Sequence, residues 1–180
     1  RGGFGIESKS VSISLVEETH ENLHPIKENP VEASLESKVA LMVRASDAAK
    51  AYSDQIQKVS VGLASVCQNV QISNSEGRLV HDTRIRCRMS VSSQDGQNLQ
   101  SGYEAPGASK GLEFFEERTP ESIGQEASRI ALVLLEAKDC PSGKMPVIID
   151  NGFGGVIFHE ACGHALEASS VSKNQSVFCK

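Results

Sequence analysis

The stretch QKVSVGLASVCQNVQISNSEGRLVHDTRIRCRMSVSSQDGQNLQSGYE, residues 57–104, decides the fold because its apolar residues recur at every second position. A period of two is typical of strands that bury one face. The alternating positions are Val59, Val61, Leu63, Val70, Ile72, Ile85, Cys87, Met89 and Val91. Glycine-containing turns at residues 74–77 and 94–97 divide the pattern, which therefore predicts an antiparallel meander with one wet face.

The wet face of this meander carries three arginines at alternate positions, Arg84, Arg86 and Arg88. Two interpretations are open for them: a solvated strand face or a stripe that binds anions. Charged residues on the polar side of a strand usually face solvent, so the pattern favours the first.

Two segments flanking the meander have helical periodicity. Residues 29–54 predict a helix capped by Asn29 or Ser34, with Pro30 suited to its first turn. Thr119 predicts the cap of a second helix, and Pro120 its first position. The expected buried stripes are Leu35, Val39, Met42, Val43 and Ala49 on the first helix, and Ile123, Ala127, Ile130 and Leu134 on the second.

Shorter elements lie near the two ends. Residues 9–18 alternate Val11, Ile13 and Leu15 with polar neighbours, which predicts a half-buried strand. Residues 138–144 are typical of a linker, 145–150 (MPVIID) predict a buried strand, and 151–155 (NGFGG) predict a tight turn before a helix near Val156. The set indicates an α+β fold, an antiparallel sheet with packed helices.

Composition excludes several functional classes. The chain has 180 residues, 39% hydrophobic and 23% charged, with a formal net charge of −5. The acidic balance predicts no direct nucleic-acid partner, and no apolar run is long enough to suggest a membrane span. Five scattered cysteines favour reduced thiols and a cytoplasmic location. The chain begins at Arg1 without a methionine, so we expect a piece of a longer protein.

Two histidine pairs compete as metal sites. The segment THENLHPIK, residues 19–27, has the H-E-x-x-H spacing of zinc helices in His20 and His24. However, Pro25 disfavours helical dihedrals at His24, and the preceding residues are polar. We therefore interpret this pair as exposed loop histidines.

The second pair lies in GVIFHEACGHALEA, residues 155–168, where His159 and His164 are five residues apart. On an ideal helix they would point about 140° apart, so joint metal binding requires a distortion such as a π-bulge. We expect Gly163 to absorb the strain. The apolar neighbours predict a buried segment, in which the polar residues must be paired or liganded.

The residues alone leave alternatives open at this segment. His159, Glu160, His164 and Glu167 could form a purely structural hydrogen-bonded network instead of a metal site. The glycines of the preceding turn could bind a nucleotide, but Ile157 stands where a third glycine is needed and no βαβ unit surrounds it. Close packing, or close approach of a peptide backbone to Gly152, Gly154 and Gly155, explains them more simply.

Taken together, these segments resemble the TldD/PmbA family of zinc metallopeptidases, also called modulators of DNA gyrase. The resemblance is strongest in GKMPVIIDNGFGGVIFHEACGHALEA, which carries the H-E-x-x-x-H motif of the metal-bearing TldD-type members. It extends, in the family's order, to NPVEASLESKVALMVRASDAAKAY, ISNSEGRLVHDTR and GASKGLEFFE.

The resemblance implies a zinc-dependent peptidase that hydrolyses small or unfolded peptides. His159 and His164 would bind Zn²⁺, Glu160 would act as general base, and Glu167 would orient His164. The third protein ligand, a cysteine in the family, is expected outside this chain, so the fragment alone would be inactive.

The resemblance also has implications for organisation. It implies an N-terminal α+β domain over residues 1–141 and the start of a β-rich catalytic domain over residues 142–180. Family members form homodimers or heterodimers with a partner subunit. The alternative function is a non-catalytic regulatory protein of the gyrase-modulator type, whose His–Glu helix is structural.

Overall fold

The computed structural model, which describes residues 12–20, 23–96 and 100–179, centres its sheet on one long hairpin. Strand β2 (Ile56–Ser73) pairs antiparallel with β3 (Arg78–Asp95) along their whole length, from Ile56 opposite Asp95 to Ser73 opposite Leu79. In the connecting turn, Asn74 Oδ1 accepts the N–H groups of Glu76 and Arg78. Gly77 has φ +89°, which only glycine adopts readily. The predicted antiparallel pairing and its first turn are confirmed.

Three short strands extend the sheet along the other edge of β3. The first, β1, pairs parallel with the start of β3, whereas β4 and β5 pair antiparallel further along it. Their bounds are Val16–Glu18 for β1, Ser101–Glu104 for β4 and Gly107–Ala108 for β5. The fold is therefore a mixed sheet dominated by antiparallel pairs.

The predicted strand over residues 9–18 is wrong in extent, since only Val16–Glu18 is a strand in the described part. Val16 lies opposite Arg78, the first residue of β3, so earlier residues have no neighbouring strand to pair with. Ile13 and Leu15 are accordingly exposed. Val11 lies outside the described residues.

The two faces of β3 differ as the alternation predicts. Ile85, Cys87, Met89 and Val91 are buried, and the intervening arginines are exposed. Arg84 pairs with Asp82 at 2.7 Å, and Arg88 Nε donates to the Ala105 carbonyl at 3.1 Å. Arg84 and Arg88 are exposed to solvent, and each already interacts with a neighbouring residue of the protein. A solvated strand face is therefore a better interpretation than a stripe that binds anions.

Helix α1 (Leu35–Ala51) begins at Ser34, whose Oγ accepts the Ser37 N–H at 3.1 Å. Of the two predicted caps, Ser34 is correct; Asn29 instead organises the turn before it by accepting the Val31 N–H. Of the predicted buried stripe, Ala49 is confirmed, Met42 is half-buried, and the other three positions are wrong. Leu35, Val39 and Val43 are exposed, while Ala45 and Ala49 are completely buried.

Helices α2 (Phe114–Glu117) and α3 (Pro120–Glu136) complete the layer against the sheet. Thr119 caps α3 and Pro120 occupies its first position, as predicted. Its buried face is Pro120, Ile123, Gly124, Ala127, Ser128 and Ala131. Leu134, predicted to be buried, is 39% exposed, because small residues make the closest contacts.

Small side chains explain why α1 and α3 lie so close together. A Cβ on Gly124 would lie 2.2 Å from the Ala45 carbonyl oxygen. Nearby, Ser128 Oγ donates to the Ala49 carbonyl at 2.8 Å and makes a second hydrogen bond with Ser93 Oγ at 2.9 Å. This buried serine therefore connects α3 to both α1 and β3.

The chain divides into two compact units, Arg1–Lys138 and Asp139–Lys180. Described residues of the second unit form short helical turns and no strand. The prediction that MPVIID forms a buried strand is wrong: Val147 is 72% exposed and Ile148 fully exposed. No strand in that unit offers it hydrogen-bond partners. Within the described ranges, no helix is long and apolar enough to cross a membrane.

Substituting Gly124 tests the helix contact. In an open helix, Gly→Ala would favour folding by about 1 kcal/mol. Here we expect Gly124→Ala to lower the free energy of unfolding by about 2 kcal/mol, because the new methyl group displaces α1. Urea denaturation measures the change. Gln125→Ala, at the neighbouring exposed position, is the control and should be neutral or stabilising; stabilisation by Gly124→Ala would contradict the packing.

Cys87 tests the burial of the sheet face. Burial raises the pKa of the Cys87 thiol to about 11, and the charge of Glu113 adds to the rise. We therefore expect iodoacetamide at pH 8 to leave Cys87 unmodified in the native protein. The exposed Cys67, Cys140 and Cys162 should react. Peptide mass spectrometry before and after denaturation measures this, and native labelling of Cys87 at the rate of Cys67 would refute it.

Candidate metal centre

The second unit contains a chain of short helical turns that begins at a glycine with left-handed backbone geometry. Gly152 has φ +82°. The turns that follow are a 3₁₀ turn (Gly152–Gly154), α4 (Gly155–Phe158), a π-helical turn (His159–Gly163), a second 3₁₀ turn (His164–Leu166) and α5 (Ala168–Val171). The predicted glycine turn and the helix after it are confirmed.

The π-helical turn brings the two histidines to the same side. The backbone N–H of His164 donates to the carbonyl of His159, five residues earlier. This wider turn holds one residue more than an α-helical turn, so the side chains five apart no longer diverge by about 140°. Their ring centroids lie 4.3 Å apart, at an interplanar angle of 65°. The predicted distortion is confirmed.

The expectation that Gly163 absorbs the strain is wrong. Its φ of −57° and ψ of −55° are ordinary right-handed helical values. A Cβ there would lie 3.4 Å from His159 Nδ1, which is normal contact. The extra residue is accommodated over the whole turn, so no single position needs the conformational freedom of glycine.

Three side chains of this turn converge on one point in space. His159, Glu160 and His164 each offer one ligand atom, and these atoms lie within 4.8 Å of one another. Glu160 Oε2 is 3.7 Å from His164 Nε2. Imidazole nitrogens are donors suited to zinc, so His159 and His164 fit a metal ion of that kind, with the Glu160 carboxylate beside them. No other group in the described part of the chain meets the same criterion.

Glu167 holds the far side of the second histidine. His164 Nδ1 donates to Glu167 Oε1 at 2.6 Å, which leaves Nε2 on the side of Glu160. The hydrogen bond raises the pKa of His164, and the charges of Glu167 and Glu160 add to the rise. A carboxylate on one ring nitrogen fixes which nitrogen is available to a metal.

The predicted burial of this segment is wrong within the unit described. His159, Glu160 and His164 are all exposed. The apolar neighbours are exposed as well, including Phe153 at 87% and Phe158 at 61%. An open apolar groove of about 600 Å³ runs beside Glu160, lined by Phe153, Gly154, Val156, Ile157 and Ala161.

The glycines predicted to approach substrate have different surroundings. Gly152 is required by its positive φ, and a Cβ on Gly154 would lie 2.6 Å from Ile149 Cγ2. Gly155 has open space around it. Conformation and close packing thus account for the first two, and a substrate role for any of the three stays a prediction.

The competing pair, His20 and His24, forms no metal group in the described residues. Both histidines are exposed and lie outside helices, and His20 lies 3.7 Å from Glu18. These positions fit the interpretation as loop histidines.

Sequence reasoning overlooked the segment after Glu167, which folds back onto the histidine turn. Ser176 Oγ donates to the carbonyl of Ala165, and Asn174 has φ +53°. Asparagine is enriched at positive φ, so Asn174 was the available signal for a reversal of the chain.

Two family models match this chain, and the gap between them includes the boundary between the two compact units. The family model described as the PmbA/TldA metallopeptidase central domain matches residues 28–135. The model described as the C-terminal domain of the same family matches residues 142–180. The unit taken from sequence as an N-terminal domain thus matches the family's central domain.

Individual relatives of the chain are described as metalloproteases. A metalloprotease TldD homolog of Haemophilus influenzae is 35% identical over 158 residues, covering 83% of this chain and 33% of the relative. A metalloprotease of Methanocaldococcus jannaschii is 36% identical over 155 residues, covering 84% of this chain and 33% of the relative. The chain therefore spans about a third of the length of these curated relatives.

A solved structure supports the fold. The crystal structure of a protein described as a modulator of a DNA gyrase, from Thermotoga maritima, superposes with a TM-score of 0.67 at 22% identity. The match covers 93% of this chain and 38% of that one.

Removing the charge of Glu167 tests its contact with His164. In Glu167→Gln the amide oxygen can still accept the Nδ1 proton, but the negative charge is lost. We expect the pKa of His164 to fall toward its usual value. NMR titration of the imidazole signals measures the shift. The exposed Glu116→Gln, in the other unit, is the control; an unchanged His164 titration in Glu167→Gln would rule out the contact.

Proposed function

Because the chain belongs to the TldD/PmbA metallopeptidase family, we propose that it is part of a zinc-dependent peptidase that hydrolyses small or unfolded peptides. His159 and His164 are the proposed metal ligands and Glu160 the general base. The observation that carries the proposal is the convergence of these three side chains on one π-helical turn. The metalloprotease character of its relatives supports the same chemistry.

The metal would bind the imidazole nitrogens of His159 and His164, with a third protein ligand from outside this chain. When bound, it would supply Lewis-acid activation of water and of a peptide carbonyl. Glu167 keeps the Nδ1 proton of His164 engaged, so Nε2 presents its lone pair. The described residues thus provide the two histidines and fix the orientation of one of them.

The location of Glu160 supports its proposed role as general base. It adjoins His159 in sequence, and its carboxylate lies 3.7 Å from His164 Nε2, so it faces the same point as the ligands. There it would take a proton from the attacking water and return it to the leaving amine. Its exposure, 65% of the side chain, leaves room for water and substrate beside it.

Substrate would lie along the open groove beside Glu160. Apart from Glu160, the residues that line the groove are apolar or glycine, which suits a hydrophobic side chain of a peptide. Gly155, with free space around it, would allow a peptide backbone to approach the first helical turn. The groove therefore favours flexible peptides over folded proteins, whose side chains are already packed.

We also propose a cytoplasmic location and assembly as a homodimer or as a heterodimer with a family partner. The absence of paired cysteines supports the first. Family resemblance is the support for the second.

Zinc content of the full-length protein tests the proposed ligands. We expect about one zinc per wild-type chain by elemental analysis, and none in His159→Ala or His164→Ala, because each ligand is required. His20→Ala and His24→Ala are matched controls with the alternative spacing and should retain zinc. Glu160→Gln should keep zinc but lose peptide hydrolysis by about 100-fold or more.

The opposite result has a definite meaning. A correctly folded full-length protein without zinc, in which His164→Ala alters only stability, would refute the metal site. It would favour the alternative of a non-catalytic regulatory protein with a structural His–Glu helix.

A further inference from the structure

The chain after Glu167 returns to the histidine turn by a short path. The Ser170 and Val171 N–H groups donate to the Glu167 carbonyl at 2.9 and 3.0 Å and begin α5. Asn174, at φ +53°, reverses the chain, and the Gln175 N–H donates to the Ser170 carbonyl at 3.0 Å. Residues 167–175 therefore form a small folded loop.

Ser176 closes this loop onto the 3₁₀ turn His164–Leu166. Its Oγ donates to the Ala165 carbonyl and accepts the Phe178 N–H at 3.1 Å. Ala165 belongs to the last helical turn, where carbonyl groups lack partners within the helix. Ser176 and Ala165 are both partly buried, although most of the unit is exposed. The hydroxyl thus supplies a hydrogen bond that the helix end requires.

Glu167 is located inside the loop that Ser176 closes. On one side, its N–H donates to the His164 carbonyl at 3.3 Å; on the other, its carbonyl begins α5. A helix of four residues is not stable alone, so α5 needs a tertiary contact to keep its place. The bond from Ser176 to Ala165 joins the far end of this segment to the turn before Glu167, and Cys179 Sγ, which donates to the Val171 carbonyl at 3.4 Å, adds a contact to α5 itself. If the Ser176 bond is lost, the segment that follows Glu167 is no longer tied to the turn that precedes it.

We propose that Ser176 is a positioning residue of the metal centre, which acts on His164 through the backbone of Glu167. The proposal rests on the proposed metal function. Ser176 touches neither the converging side chains nor the groove beside them. Its hydroxyl bonds to Ala165 and so keeps the loop of residues 167–175 closed. The closed loop keeps the Glu167 carboxylate on His164 Nδ1.

The test compares variants of the full-length protein that differ in this hydroxyl. Ser176→Ala removes it, while Ser176→Thr and Ser176→Val form a matched pair of equal shape with and without it. Ser172→Ala is the control on the same loop, because Ser172 Oγ makes only a long hydrogen bond, 3.5 Å, to the Ser169 carbonyl. Two quantities are measured: zinc affinity by competition with a chelator, and the ring nitrogen signals of His164 in the metal-free protein.

We expect Ser176→Ala and Ser176→Val to weaken zinc binding about tenfold, the scale found when outer partners of metal ligands are lost. Ser176→Thr and Ser172→Ala should stay within about twofold of wild type, the scatter of such measurements. In metal-free protein, the Nδ1-protonated form of His164 should predominate in wild type and Ser176→Thr, and decline in the Ala and Val variants.

Each outcome decides the proposal. If Ser176→Ala and Ser176→Val match Ser172→Ala in both measurements, Ser176 has no positioning role. If Ser176→Ala does not fold, the Thr and Val pair decides. If no variant, including wild type, binds zinc, the proposed function fails while the His164 signals still decide whether Ser176 positions that ring.

Discussion

The hydrogen bond from the His164 N–H to the His159 carbonyl is the interaction on which the candidate site depends. It spans five residues, so it forms only if the turn widens to include one more residue than an α-helix holds. An ordinary helix would satisfy the same carbonyl from Gly163 and would send the two imidazoles to different sides. The hydrogen-bond partner of the His159 carbonyl thus determines whether the imidazole rings of His159 and His164 lie side by side.

The exposure of the site changes what its polar contacts do. If the histidines and carboxylates were buried, their hydrogen bonds would be needed to offset desolvation. In the described unit they face solvent, where ion pairs add little to stability. The contact between Glu167 and His164 is therefore better understood as orienting one ring than as holding the helix together. Its energetic effect appears in which ring nitrogen carries the proton.

Local features were predictable from sequence because their partners are a few residues away. Ser34 and Thr119 cap their helices, Gly77 forms its turn, and the π-helical turn is the distortion that joint metal binding by the two histidines would require. The alternation in β3 was equally informative, because the residues of one face pack in the core with residues of the helices, whereas the other face carries exposed arginines. In each case the pattern and its physical cause lie in the same short stretch.

The incorrect predictions share a dependence on distant partners. Large apolar residues on α1 were expected to be buried, but Gly124 and Ser128 of α3 admit close approach only where α1 has alanine. The relevant signal was the small residues at helical spacing on α1 and α3. A pattern of large apolar residues does not reveal them. MPVIID has the composition of a strand, but a strand also requires a neighbour, and the described residues of its unit include no other strand.

The loop closed by Ser176 was overlooked because its partners are neither adjacent, as in a helix cap, nor on separate elements, as in the contact between α1 and α3. Ser176 lies eleven positions after Ala165, too far for a capping pattern and too near for a separate element. The bond exists because a helix that ends on a 3₁₀ turn leaves a carbonyl unsatisfied, and the reversal at Asn174 returns a hydroxyl to it. The Ala165 carbonyl, left without a partner where the 3₁₀ turn ends, therefore connects that turn to the segment that contains Ser176.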